Sequence, residues 1–138
     1  MMTPETAYDE LCCYTLALRD ARFIHQHVVD TYAAQNADEH TKPIKLTFAL
    51  IGLYLHLEKK FSGRQVQRAH VDLAKHKRVW PSFPLPGDRG AMTAIDVMAL
   101  PEGPERDQAI DAWCACVWAA YREGHAAVAE PLREGCIE

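Results

Sequence analysis

Three of the chain's seven histidines, His25, His27 and His40, lie within residues 23–40. Histidine can ligate a metal or transfer a proton near neutral pH, so such a group is a candidate for either chemistry. The spacing of His25 and His27 limits this, because residues two apart on a helix point to different sides. The two histidines therefore cannot serve one site from a regular helix, and His40 belongs to the loop that follows.

A helical wheel separates the first two histidines by face. His25 shares its face with Val29 and Tyr32, whereas His27 shares the other face with Asp30. His27 and Asp30 are three residues apart, which allows a hydrogen bond along the helix surface. We therefore expect His25 to point into the protein and His27 to face the surface or to pair with Asp30.

Three more polar residues stand out by position. Glu58 continues the apolar stripe of a leucine-rich stretch, and His70 lies between Val66 and Leu73 on another stripe. A carboxylate on an apolar stripe must be paired, liganded or protonated, because a lone buried charge costs several kcal/mol. His125 follows a helix-ending glycine and is a further candidate.

From these residues we hypothesise a site inside a helical bundle. The catalytic candidates are His25, Asp30 and Glu58, and the candidate ligands for a divalent transition metal are His25, Glu58 and His125. Bundle cores are known to hold mixed histidine and carboxylate metal sites. The alternative is that each residue is a core group satisfied by one hydrogen bond. No short metal motif, nucleophile elbow or glycine-rich phosphate loop is present.

The expected helix order also places two candidates together. Consecutive helices joined by a short loop are usually antiparallel neighbours, so the start of one lies beside the end of the next. We therefore expect His25 to lie near Glu58, within reach of a hydrogen bond, a water or a shared metal. This would be a small enzyme or small-molecule site of unspecified reaction and substrate.

Helix-start signals and breakers divide the chain. The start signals are the capping residues Thr3, Ser62 and Thr93 and the first-turn prolines Pro4, Pro43 and Pro104. No stretch alternates apolar and polar residues long enough to predict a strand. We predict an all-α, single-domain bundle (residues 1–138) of about six or seven helices with a proline-rich connecting loop at 80–90. The expected helices cover about residues 4–19, 21–36, 43–60, 63–77, 94–100, 104–121 and a short segment after Gly124.

Two of these helices should form the core. The helix at 43–60 is apolar nearly all round, which is typical of a buried helix. The helix at 104–121 carries a broad apolar stripe at helical spacing. We expect the two to meet, with the stripe formed by Ile110, Trp113, Cys114, Val117, Trp118 and Tyr121.

Charge supports a second kind of function. The net charge is −4, yet residues 58–78 hold seven Lys or Arg against two acids. This basic segment could meet a protein, nucleic acid or an anionic ligand as a non-catalytic binding module. A solvated helix face is the simpler explanation, and nucleic acid is not favoured because no aromatic residues interleave the basic ones before Trp80.

Location and assembly are also expectations. The first ten residues have no basic and apolar signal pattern, and the longest apolar run, 46–57, is shorter than the roughly 20 residues of a membrane span. We therefore expect a cytoplasmic protein with no membrane segment. A homodimer is expected because the terminal helices carry apolar stripes and homodimers are common.

The sequence resembles an uncharacterised bacterial family, domain of unknown function 5946. The resemblance covers about residues 8–130 and implies no activity, but it favours His25, Asp30, Glu58 and His125 over the other histidines. Two family histidines appear here as Asn36 and Ala49, which would reduce any metal site that relatives hold. The matching residues are His25, Val29, Asp30, Tyr32, Gln35, Leu50, Leu53, Glu58, Thr93, Asp96, Val97, Trp113, Val117, Trp118 and His125.

Overall fold

The computed structural model describes residues 2–75 and 79–134, and every regular element within them is helical. The all-α prediction is therefore confirmed. A short 3-10 turn, Arg122–Gly124, joins the last long helix to two single-turn helices. The α-helices are α1 Pro4–Leu18, α2 His25–Gln35, α3 Pro43–Leu57, α4 Gly63–Ala74, α5 Ala94–Met98, α6 Pro104–Ala120, α7 His125–Val128 and α8 Glu130–Glu134.

The expected start signals act as helix caps. The side chains of Thr3, Ser62 and Thr93 each accept a hydrogen bond from a backbone N–H in the first turn of α1, α4 and α5. In all three cases the residue at the third helical position bonds back to the cap, which completes a capping box. Proline occupies the first turn of α1, α3 and α6, where its missing N–H costs nothing.

Two predicted boundaries were wrong. α2 begins at His25 instead of residue 21, because Arg19 and Phe23 take positive φ angles of 49° and 59° and break the helical path. The segment after Gly124 forms two helices, since Pro131 has no N–H with which to continue the hydrogen bonds of α7. α4 ends at Ala74, and its expected extension over residues 76–77 lies outside the described residues.

α3 is the central helix, as predicted. It contacts α2, α4, α6 and α7. Its buried residues surround the helix: Leu46, Thr47, Ala49, Leu50, Ile51, Gly52, Leu53 and Leu55. The predicted stripe of α6 is buried as well, from Ile110 to Tyr121, and α6 meets α3. Burial of these side chains is the main force holding the helices together.

α2 is the second interior element, and it determines where polar groups meet. It packs against α1, α3, α4 and α6. The proline-rich segment that follows α4 closes over one end of it, because Arg89 Nη1 donates to the carbonyls of Gln35 (3.1 Å) and Ala37 (2.7 Å). The polar residues of α2 are therefore covered on several sides.

Over residues 2–75 and 79–134, no helix combines the length and the apolar character that crossing a membrane requires.

Candidate functional site

Asp30 of α2 lies against the backbone of α3 at Gly52. A Cβ placed on Gly52 would overlap Oδ2 of Asp30, so only glycine leaves room for this carboxyl group. Glycine in the interior of a helix destabilises it by roughly 0.5–1 kcal/mol relative to alanine. The close approach of Asp30 explains why a glycine stands in the middle of an otherwise large and apolar helix.

The Asp30 carboxyl group is buried, and no basic side chain among residues 2–75 and 79–134 forms an ion pair with it. The residue is 4% exposed, and its Oδ1 accepts one hydrogen bond from Gln26 Nε2 at 3.1 Å. Its Oδ2 is buried and has no hydrogen-bond partner among the described residues. Burial raises the pKa of Asp30 well above its usual value, and the bond from Gln26 opposes this only in part. Burial therefore shifts the protonation equilibrium of Asp30 toward the neutral acid in the folded protein.

One turn further along α3, His56 meets His27 of α2. The two imidazole rings stack with their centroids 3.5 Å apart and their planes at 17°. His56 Nε2 donates to Oδ1 of Asp111 in α6 at 2.9 Å, and His56 Nδ1 lies 3.4 Å from the carbonyl oxygen of Phe61. Both nitrogens of His56 thus face hydrogen-bond acceptors.

His27 and Asp111, which both interact with His56, have pKa values that are shifted for different reasons. Burial is the main cause that lowers the pKa of His27 to about 3, and the neighbouring charge of His56 contributes to this shift. The hydrogen bond from His56 lowers the pKa of Asp111. Near neutral pH the group therefore contains a neutral His27 above a His56 that is hydrogen-bonded to an ionised Asp111.

We refer to His27, Asp30, Gly52, His56 and Asp111 as the polar seam. Because His27 contacts His56 and the later residue Asp30 contacts the earlier Gly52, α2 and α3 run antiparallel, as expected from their short connection. His27 Nδ1 and Asp30 Oδ2 are the buried side-chain atoms without partners in the described part of the chain. Both belong to the seam, and such atoms are rare in folded proteins.

A cavity of about 310 Å³ opens at the Asp30 end of the seam, between α2, α3 and α4. Its wall is mainly apolar, and Lys45 is a basic residue among the described side chains that line it. The lining residues are Gln26, Val29, Asp30, Ala33, Ile44, Lys45, Phe48, Ala49 and His70.

His70 supplies a neutral imidazole to this cavity. Its Nε2 donates to the carbonyl oxygen of Phe48 at 2.8 Å, and its ring stacks on the Phe48 ring with centroids 5.1 Å apart. Burial lowers the pKa of His70, although the bond to Phe48 favours the charged form. This bond places the proton on Nε2 and leaves Nδ1 as an acceptor.

The predicted orientation of His27 was wrong, and His25 is less deeply buried than expected. His27 is 3% exposed, whereas His25 is half-buried and its Nδ1 lies 2.9 Å from Thr15 Oγ1 of α1. The wheel separated the two faces of α2 correctly but did not show which one meets α3. Because α2 is packed on several sides, both faces hold a mixture of polar and apolar residues and the pattern is ambiguous.

Glu58 and His125 are brought together by a tryptophan. Trp118 Nε1 donates to Oε2 of the exposed Glu58 at 3.0 Å. The His125 ring stacks on the Trp118 ring with centroids 3.7 Å apart, and its Nε2 donates to the Trp118 carbonyl oxygen at 2.7 Å. Glu58 is therefore paired at the surface, although its position on an apolar stripe had suggested burial.

The three candidate metal ligands have separate hydrogen-bond partners. His25 bonds to Thr15, and Glu58 and His125 bond to different atoms of Trp118. Among residues 2–75 and 79–134 there is no group of three or more His, Cys, Asp or Glu side chains that could hold a metal ion. A metal shared by these residues stays a prediction.

Several basic side chains of the 58–78 segment have local partners. Lys60 Nζ donates to the Leu57 carbonyl oxygen, and Lys75 pairs with Asp72. Arg64 donates to Gln67 and lies over the Phe23 ring. Residues 76–78 lie outside the described residues. These contacts fit a solvated helix surface, and a binding role for the segment stays a prediction.

Sequence reasoning missed Gly52, His56 and Asp111. Gly52 carried a usable signal, because a glycine inside a helix often marks a close approach. Asp111 carried none, since an acid on the polar side of an amphipathic helix is ordinary. His56 becomes notable only when α2 places His27 on top of it.

Comparison with known proteins gives one result. Residues 5–122 match the model of DUF5946, which is described as a family of unknown function. No curated protein and no solved structure matches the chain. The family match covers α1 to α6 and therefore all residues of the polar seam.

Proposed function

We propose that this chain, which belongs to the DUF5946 family of unknown function, binds a small and largely apolar molecule in the cavity beside Asp30. The observation that carries the proposal is the Asp30 carboxyl group, which is buried, has no ion-pair partner in the described part of the chain and lines the cavity. Leaving a buried polar atom unpaired costs about 1–3 kcal/mol. Buried groups with strongly perturbed pKa values cluster at functional sites.

The cavity has the composition of a small-molecule site. Ligand sites are mostly apolar and contain a few polar groups that orient the ligand. Here Val29, Ala33 and Phe48 supply apolar wall, while the Gln26–Asp30 pair forms one polar edge. A neutral acid and an amide favour a ligand with a carbonyl or amide group over one with a full charge.

A simple aromatic amide tests the expected preference for a ligand with a carbonyl or amide group. Benzamide should produce saturable changes in the backbone amide NMR signals of α2, α3 and α4, whereas toluene, which lacks the carbonyl, should bind less tightly. At roughly 0.3 kcal/mol per non-hydrogen atom, so small a probe binds with a Kd on the order of 10 mM. The titration must therefore extend into tens of millimolar.

Two variants locate the binding. Ala33→Phe fills the cavity from the partly exposed side of α2 and should abolish the benzamide effect, while Ala17→Phe makes the same change on the exposed face of α1 and should not. Asp30→Asn keeps an uncharged polar edge and should retain binding at alkaline pH, where ionisation of Asp30 weakens binding to the wild type. Equal binding by wild type and Ala33→Phe would overturn the proposal.

Self-association is a separate proposal. Two large apolar side chains, Leu16 and Val71, are 52% and 55% exposed, and covering them would support a homodimer. Sedimentation velocity at high micromolar concentration should then show a dimer that Leu16→Glu or Val71→Glu weakens. A single monomeric species in the wild type would end this proposal.

A further inference from the structure

A second and larger cavity, of about 430 Å³, lies at the Asp111 end of the polar seam. We call it the α6 cleft, because the segment that joins α1 to α2 forms one wall and α6 forms the other. Its apolar surface comes from Leu18, Ile24 and Ile110. The volume is many times the roughly 30 Å³ that one water occupies in the liquid, so the cleft has room for a small organic molecule.

Asp111 gives the cleft a fixed negative charge. His56 donates to its Oδ1 at 2.9 Å and lies under the buried His27 ring. His27 is in turn 3% exposed and its Nδ1 has no partner among the described residues. Oδ1 of the carboxylate is thus held by the mostly buried His56, while the Asp111 side chain remains 63% exposed, which leaves its second oxygen for a ligand.

Arg22 brings a positive charge to the opposite wall. Its backbone is fixed, since its carbonyl oxygen accepts a hydrogen bond from Arg64 N at 3.0 Å. The next residue, Phe23, has a φ of 59°, and its carbonyl oxygen occupies the space where a side chain on Gly63 would lie. The start of α4 therefore holds the Arg22 segment against the bundle.

The two other acids of the cleft are already engaged. Asp107 Oδ1 accepts from the Tyr14 hydroxyl at 2.8 Å, and Asp20 Oδ2 accepts from Ile24 N at 3.4 Å. They add negative potential without competing for the same position as Asp111. The cleft therefore presents the Asp111 carboxylate held by His56, the cationic side chain of Arg22 on a fixed backbone, and an apolar surface.

We propose that the α6 cleft binds an amino acid or a similar zwitterion with an aliphatic side chain. The ligand ammonium group pairs with Asp111, its carboxylate pairs with Arg22, and its side chain covers Ile24 and Ile110. Charge-assisted hydrogen bonds of this kind are about twice as strong as neutral ones and fix the ligand's orientation. This site is separate from the Asp30 cavity and does not depend on the proposed function.

Three probes of one shape test the charge pattern. L-Leucine carries both charges, 3-methylbutylamine lacks the carboxylate, and 4-methylpentanoate lacks the ammonium group. NMR titration of the full chain should show saturable shifts at Ile24 and Ile110 with L-leucine and at least tenfold weaker binding of each analogue. Absence of saturable binding, or equal binding of all three probes, would overturn the proposal.

Variants assign each charge to its residue. Asp111→Asn should weaken L-leucine and the amine at least tenfold but leave the carboxylate analogue unchanged, and Arg22→Gln should show the reverse preference. Asp72→Asn, which changes an exposed acid on α4, is the matched control and should bind like the wild type. Since Asp111→Asn also replaces the charged acceptor of the His56 hydrogen bond by a neutral one, Arg22→Gln, at an exposed position, keeps the test valid if the first variant is unstable. Unchanged L-leucine binding by both variants would overturn the assignment.

Discussion

The two ends of the polar seam bury ionisable groups in opposite ways. At the Asp30 end, a single acid lies on Gly52 with one neutral hydrogen bond, and burial raises its pKa. At the other end, His56 joins a buried histidine to an acid, and the pKa values of His27 and Asp111 are both lowered. One helix interface thus holds an acid whose pKa is raised and a histidine whose pKa is lowered.

This difference shows that burial alone does not set charge. A buried group becomes neutral when no partner compensates it, and this requires an acid to gain a proton but a histidine to lose one. The two ends should therefore oppose each other in the dependence of stability on pH. The following substitutions separate them.

The largest effect on the pH dependence of stability is expected for the substitution of His27. Its folded pKa of about 3 is below the unfolded value of 6.5, so the unfolded chain binds more protons as the pH falls below 6.5 and stability is lost. Between pH 6.5 and 4.5 this amounts to about 2–3 kcal/mol. His27→Gln should remove that slope in urea unfolding, whereas His40→Gln, at an exposed loop residue, should keep it. An unchanged slope in His27→Gln would contradict the assigned burial.

The next largest loss of stability is expected for Gly52→Ala. The added Cβ must displace the Asp30 carboxyl group, and overpacking of this kind costs roughly 1–3 kcal/mol, which exceeds the gain in helix propensity of about 1 kcal/mol. Gly87→Ala is the control, because a Cβ there meets nothing within 4 Å.

A double mutant identifies the cause of that loss. Asp30→Ala removes the group that the new methyl would meet, so Gly52→Ala should cost much less in that background. Chemical denaturation of the four proteins gives the coupling energy directly. Additive effects would show that Asp30 is not what requires glycine.

Asp30→Asn should increase stability at high pH instead of reducing it. Because the folded pKa of Asp30 is raised, the wild type loses stability as the pH rises above the unfolded value of 3.8 toward the folded one. The variant has no such loss and should be more stable at pH 8 by roughly 1–2 kcal/mol, the cost of an unsatisfied buried group. At pH 4 the two proteins should differ little. Thermal unfolding across this range measures the difference, with Asp72→Asn as the control.

The smallest effect is expected for Asp111→Asn. Its partner His56 is 15% exposed, but Asp111 itself is 63% exposed, so water screens the pair. Such pairs contribute about 0–1 kcal/mol. The lowered pKa of Asp111 means that this contribution is present above pH 3.8 and is lost as the pH falls through the folded value. A loss well above 1 kcal/mol at pH 7 would show that the pair is structurally essential.

Much of the fold was visible in local patterns. The caps at Thr3, Ser62 and Thr93 formed as expected, because a cap depends only on a few neighbouring residues. The burial of α3 followed from its apolar character on every side. The start of α2 was misplaced, since the positive φ of Phe23 reflects its packing against Gly63, a residue forty positions later.

The candidate site was predicted only in part. Asp30 was named, but its contact with Gly52 was not, and the expected inward histidine was His25 instead of His27. Glu58 and His125 were grouped as metal ligands, whereas the structure joins them through Trp118. The error over His25 and His27 arose from the choice between two faces of α2, a helix that is packed on more than one side.

The sequence by itself determined the helical class, most helix starts and the central position of α3, because caps, prolines and apolar periodicity act over a few residues. Tertiary structure alone decided which polar residues share an environment. His56 and Asp111 are 55 positions apart in the sequence. Gly52 of α3 contacts Asp30 of the neighbouring helix α2. The pKa of each group depends on those contacts and on burial, and neither quantity is encoded locally. Packing thus placed the buried acid and the stacked histidines of this protein in one interface.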